Sequence, residues 1–378
     1  MIHDLIILML SFVVIIVGAE LFTNGVEWLG VRFRLSEGAV GSVLAAVGTA
    51  LPETLIPCVA LVFFRSPGPG VPGQQVPDPG MEIGLGAILG APFMLSTLAF
   101  FVTALAAFIY RGRRPTGWRL RINRKVLTRD LGFFLPLYGA AIAVSFSHGG
   151  HWGRYGLAGV LILVYAYYVR LNLRETAEGE KEEPLTFNLV WASLPLLPPG
   201  PPDRDAVRAR RELVSTSPPR LPAVYGQVAL AMGLILGGAY IFVDATRELA
   251  ALIGFSPMVI ALIVAPIATE LPEKFNSVIW VREGKGTLAL GNITGAMVFQ
   301  STFPVTLGML LTPWHFGGSA AGGAALLSAA IALTSAATLL VWVRASRNDT
   351  IAPWPLLVGV LWWLAFAGYV VLRVIPAS

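Results

Sequence analysis

The chain alternates long apolar runs with short polar segments that hold most of its charge. Ten runs reach the roughly 20 mostly apolar residues that a membrane-spanning helix needs. They lie at about 2–29, 38–64, 82–110, 129–147, 153–171, 222–246, 255–281, 285–312, 320–343 and 352–374. Their continuous apolarity predicts helices and argues against a membrane barrel, whose strands are about ten residues long and alternate in polarity. The first run carries no small-residue cleavage pattern, so it reads as a first span and not as a removable signal. Two segments stand apart. Residues 66–80 are Pro/Gly-rich and read as an irregular loop. Residues 172–221 join an acidic run, Glu175 to Glu183, to a Pro-rich stretch and then to Asp203–Leu213, which could form a short surface helix.

Composition strengthens the membrane reading. Only 13% of residues are charged, 55% are hydrophobic and the mean hydropathy is +0.71, whereas soluble domains carry about 25% charged residues. The net charge of +5 could suggest nucleic acid, but the basic residues sit in loops between apolar runs. Alternate loops hold 22 of the 27 Lys and Arg residues. The positive-inside rule therefore places both termini outside and the 172–221 loop in the cytoplasm, as in a prokaryotic cell (inner) membrane. The partner this predicts is the lipid bilayer, with no nucleic acid. The single cysteine, Cys58, excludes an intrachain disulfide.

The two halves repeat. At a constant offset of 220, Gly18 falls on Gly238, Ala19 on Ala239, Phe22 on Phe242, Thr49 on Thr269, Leu51 on Leu271, Pro52 on Pro272 and Glu53 on Glu273. Gly86 and Gly90 fall on Gly291 and Gly295 at an offset of 205, and the difference matches the Pro/Gly-rich insertion. Five spans per half is an odd number, so the second half enters the membrane with opposite polarity. The predicted fold is all-α, with ten transmembrane helices in two inverted five-helix repeats, 1–171 and 222–378, joined by the 172–221 linker.

The repeated motif carries the chemistry. Pro52 and Pro272 each remove a backbone N–H and should disrupt the preceding turn, leaving carbonyl oxygens without helical partners. Thr49 and Thr269 lie one turn before Glu53 and Glu273, so each hydroxyl can face the same point as its carboxylate. Two carboxylates among neutral oxygens suit calcium, which takes six to eight oxygen ligands. Charged residues at a helix centre cost roughly 2.5–3.5 kcal/mol each. Glu53, Glu270, Glu273 and Lys274 would therefore oppose insertion by about 10–14 kcal/mol, and the symmetric placement of Glu53 and Glu273 points to function rather than accident.

These residues resemble a known family. GTALPET at 48–54, its repeat ATELPEK at 268–274, and GNITGAMVFQ at 291–300 look like the alpha repeats of the calcium/cation antiporter superfamily, which includes sodium/calcium exchangers. The resemblance implies that Glu53 and Glu273 coordinate the transported cation, with oxygens from Thr49 and Thr269; Glu270, which stands where the family has a small serine, is a further candidate ligand. Lys274, Asn292, Gln300, Pro52 and Pro272 would then modulate the site. It further implies a secondary antiporter exchanging Ca²⁺ for Na⁺ by alternating access, with no enzymatic activity and no cofactor.

Departures from the family pattern leave the counter-ion open. Ala91 and Ala296 replace serines, and Leu95 and Gln300 replace later Asn or Asp residues, so several sodium-ligand positions are lost. Lys274 follows Glu270 by four residues, the spacing of an intrahelical ion pair. It either neutralises that carboxylate or takes the place of a co-transported ion. The rival readings are a Ca²⁺/H⁺ antiporter of the same superfamily, a non-transporting relative that senses ions, and an intramembrane enzyme with paired carboxylates. The last lacks an HExxH or Ser–His arrangement within the spans. His148 and His151 have metal-compatible spacing but sit among glycines without acidic partners, as in an ordinary turn.

Overall fold

The computed structural model describes residues 2–32, 45–65, 78–114, 116–147, 151–178, 221–346 and 349–374. Within them the chain is helical apart from one two-residue β ladder. The first half comprises α1 (Ile2–Arg32), α2 (Ala45–Phe63), α3 (Pro79–Met94), α4 (Phe100–Ile109), α5 (Arg124–Val144) and α6 (His151–Glu178). The second comprises α7 (Leu221–Ile253), α8 (Pro257–Arg282), α9 (Gly286–Gln300), α10 (Phe303–Leu311), α11 (Ala320–Ala345) and α12 (Trp354–Tyr369). The pairs α3–α4 and α9–α10 are single spans interrupted near the middle.

Among the described residues eight helical spans are long and apolar enough to cross a membrane. The two motif helices contain shorter apolar stretches, Pro52–Phe63 in α2 and Pro257–Ile267 in α8. In α8 the stretch stops where Glu270, Glu273 and Lys274 begin. The chain is an integral membrane protein.

Side-chain bonds sort the loops onto two ends. At one end β1 (Leu120–Arg121) pairs antiparallel with β2 (Thr350–Ile351), and Arg124 Nη2 donates to Arg344 O at 2.8 Å. Gly286 packs on the Arg121 backbone there, so the basic loops that follow α4, α8 and α11 gather at this end. At the opposite end Trp314 Nε1 donates to Ala141 O, and Glu82 of α3 accepts from Ser256 Oγ (3.0 Å) and Met258 N (3.4 Å). Glu82 thereby caps the N-terminus of α8, whose own N-cap residue Ser256 makes no capping bond.

Two expectations change here. The loop expected at 66–80 ends sooner, because Asp78 accepts from Gly80 N and Met81 N and starts α3 with Pro79 in its first turn. Residues 66–77 and the Asp203–Leu213 segment lie outside the described residues, as does His148. The predicted disruption at the motif prolines is also displaced: α2 runs helically through Pro52 and Pro57, and α8 continues through 272. Neighbouring helices hold the backbone in place, and each proline removes only one bond. The interruptions occur instead at a π-helical turn, Leu95–Ala99, and at Ser301–Thr302.

The repeat is visible in the packing. A Cβ on Gly18 would lie 2.8 Å from Ile235 Cγ1, and one on Gly238 would lie 2.7 Å from Ile15 Cγ1. Ile15 and Ile235, like the two glycines, are 220 apart, so α1 and α7 cross at a point of two-fold pseudosymmetry. Gln227 adds polar bonds from Nε2 to Leu21 O and Asn24 Oδ1. Among the described residues, α1 and α7 contribute nothing to the largest apolar cluster, which draws on all the other helices. They meet the rest through a smaller cluster that includes Phe12, Ile15, Ala239 and Phe242.

Candidate functional site

Glu53 lies on α2 and is 6% exposed, flanked by buried Pro52 and Thr54. On α8, Glu270 is fully buried and Thr269 is 8% exposed, its Oγ1 bonded to Ala265 O at 3.3 Å. The side chains of Thr49, Pro272, Glu273 and Lys274 lie outside the described residues, although their backbone belongs to α2 and α8. Helix continuity places Glu273 about one turn beyond Thr269. Each proline still lacks its N–H, so the carbonyls of Gly48 and Ala268 have no amide four residues on to accept from.

Packing brings the motif helices together. Ile56, Val59 and Ala60, one to two turns after Glu53, share an apolar cluster with Ala261 and Ala265, one to two turns before Thr269. Helix α3 is seated directly on α8, because Gly86 and Gly90 lack the Cβ atoms that would overlap Met258 O and Leu262 O. Helix α9 joins from the other side, where Ser277 Oγ reaches Ala289 O at 3.4 Å.

The glycine-rich helices differ in polarity around this region. Ala91 on α3 and Leu95 in the π-helical turn that follows it are buried, at 3% and 0% exposure. On α9, Asn292 is half-buried and Gln300 is 2% exposed, with no hydrogen-bond partner for its Oε1 among the described residues. A buried amide oxygen left in this way is a ready acceptor for a cation or a water. Among the described residues no three His, Cys, Asp or Glu side chains form a metal-holding cluster.

The structure adds a repeated pair that the glycine spacing alone does not show. Ser96–Thr97 and Ser301–Thr302 are 205 apart and fully buried. Ser96 Oγ and Thr97 Oγ1 both donate to Phe93 O, at 3.1 and 2.6 Å. Ser301 Oγ and Thr302 Oγ1 both donate to Val298 O, at 2.9 and 3.0 Å. Such bonds can bend a helix, and both spans are interrupted at these pairs. Extending the 205 offset beyond Gly90 would have found them. Asp130, buried on α5, is a second missed group.

Comparison with known proteins follows the same two halves. The family described as "Sodium/calcium exchanger protein" matches residues 3–174 and 223–375. A putative antiporter, CaxA of Alkalimonas amylolytica, is 30% identical over 154 residues, 40% of this chain and 46% of its own length. The fold is similar to the crystal structure of the H⁺/Ca²⁺ exchanger CAX, with a TM-score of 0.59, 16% identity, and 97% of this chain and 87% of that one covered. It is also similar to the sodium-calcium exchanger NCX_Mj, with a TM-score of 0.52, 17% identity, and 98% of each chain covered. Family members are ion transporters and not enzymes, and they use the transported ions rather than a cofactor. A helical membrane chain whose inverted halves both match this description belongs to the sodium/calcium exchanger family of cation antiporters.

Proposed function

We propose that the chain exchanges Ca²⁺ for Na⁺ across the cell membrane, with Glu53 and Glu273 as the principal carboxylates and Thr49, Thr269 and Glu270 supplying further oxygens. The observation that carries the reading is the burial of Glu53 and Glu270, 6% and 0% exposed, on two abutting helices of opposite polarity. A buried carboxylate in an apolar helix is costly unless a counter-charge neutralises it, and a divalent cation does so. Glu53, Glu270, Glu273 and Lys274 sum to a net charge of −2 when ionised, which balances one Ca²⁺. Pro52 and Pro272 leave the Gly48 and Ala268 carbonyls for the same site, and Asn292 and Gln300 add amide oxygens from α9.

Helices α1 and α7 are the moving pair. They cross on the small residues Gly18 and Gly238 and stay out of the main apolar cluster among the described residues, so sliding them disturbs little of the core. With the basic loops in the cytoplasm, the α3–α8 contact lies on the external half.

A proton is the second reading of the counter-ion, favoured by the apolar Ala91 on α3 and Leu95 just after it, whose side chains offer sodium no ligand. Calcium uptake into proteoliposomes under imposed Na⁺ or H⁺ gradients decides between them. The sodium reading predicts uptake driven by an outward Na⁺ gradient; uptake driven by H⁺ with no response to Na⁺ would overturn it.

A further inference from the structure

Asp130 is 1% exposed, and both of its oxygens are occupied by donors from its surroundings. Thr294 Oγ1 of α9 lies 2.8 Å from Oδ2, and Tyr168 Oη of α6 lies 3.0 Å from Oδ1. Arg129 Nε is 3.3 Å from Oδ1, while its Nη2 donates to Asn172 Oδ1 at 2.6 Å. Asn172 Nδ2 returns to Tyr168 O at 3.0 Å, and the Arg129 guanidinium lies over the Tyr168 ring. One carboxylate therefore ties together α5, α6 and α9. The groups around it are hydroxyl and guanidinium donors, which suit an anion and leave no vacancy for a metal ion.

The position of Thr294 gives this network its meaning. It stands between Gly291 and Gly295, on the stretch of α9 where Val126 of α5 and Tyr168 of α6 come close. The hydroxyl has one proton, and its distance to Asp130 is shorter than the 3.3 Å to Gly291 O within its own helix. The rotation of α9 about its axis is thus set by a charge-assisted bond to another helix, and the same helix presents Asn292 and Gln300. We propose that Asp130 is a positioning residue for ion exchange, acting through Thr294 to hold α9 in the register that presents its amide oxygens to the cation. This rests on the proposed role of α9 in the site.

The test compares full-length wild type with Asp130→Asn, Thr294→Val and Thr294→Ser. Thr103→Val serves as a control, because among the described residues Thr103 bonds only Ala99 O of its own span. Amide hydrogen exchange in detergent should rise about tenfold across 286–300 in Asp130→Asn and Thr294→Val. It should stay at the wild-type rate across 79–94, and Thr294→Ser should restore it. In proteoliposomes the first two variants should raise the KM for Ca²⁺ several-fold, with maximal rates within about twofold of wild type. Unchanged exchange across 286–300, or equal loosening of both helices, would overturn the proposal. Failure of the wild type to carry calcium would sink the calcium reading while leaving the exchange measurement decisive for Asp130. Should Asp130→Asn not fold, Thr294→Val keeps the carboxylate and carries the same comparison.

Discussion

Helices α3 and α9 are the same element written twice, with glycines at matching positions and a Ser-Thr break at the same place, yet they are held by different means. Gly86 and Gly90 let α3 rest on the backbone of α8. At Gly291 and Gly295 an added Cβ would meet only side chains at ordinary contact, Val126 Cγ1 at 3.7 Å and Tyr168 Oη at 3.5 Å. Thr294 reaches Asp130, but its counterpart 205 residues earlier is Leu89, fully buried in the apolar core. One copy is fixed by shape and the other by a buried charge. A repeat thus conserves where its helices break while leaving each copy to find its own anchor.

The comparison is most strongly broken at the glycines. Gly90→Ala puts a methyl group into Leu262 O and should cost about 3 kcal/mol, whereas Gly295→Ala meets only ordinary contact and should be neutral or slightly stabilising. Thermal unfolding of the two purified variants checks this, and equal losses would mean that both helices are seated alike. A smaller effect is expected at Glu82, which caps α8 from α3, while the residue 205 further on, Thr287, has no charge to place at a helix end. Glu82→Gln should lower stability by about 1–2 kcal/mol, and Thr287→Val by much less, in the same unfolding measurement.

Much of this was legible in the chain. Apolar runs located the described spans because a bilayer demands long continuous segments, and the 220 offset paired Gly18 with Gly238, the two glycines at which α1 and α7 turn out to cross. The helix breaks were misplaced at Pro52 and Pro272 because a proline announces itself in sequence. The bonds from Thr97 and Thr302 to carbonyls four residues back look like any buried hydroxyl until the repeat is extended over them. Asp130 was hidden for another reason. Hydropathy starts that span near residue 129, so Arg129 and Asp130 read as a polar boundary. Helix α5 instead begins at Arg124, which carries Asp130 nearly two turns inward. The identity of the counter-ion is not written in Leu95 or Gln300 alone, since coordination depends on what the opposing helices bring to the same point.

The central claim concerns the two glutamates behind the prolines. Equilibrium binding of radioactive Ca²⁺ to purified wild type, Glu53→Gln and Glu273→Gln tests it most directly, with folding verified by unchanged thermal unfolding of each variant. Removing one carboxylate from a calcium site should weaken binding at least a hundredfold, about 3 kcal/mol, in either variant. Wild-type affinity in both glutamine variants would contradict the account.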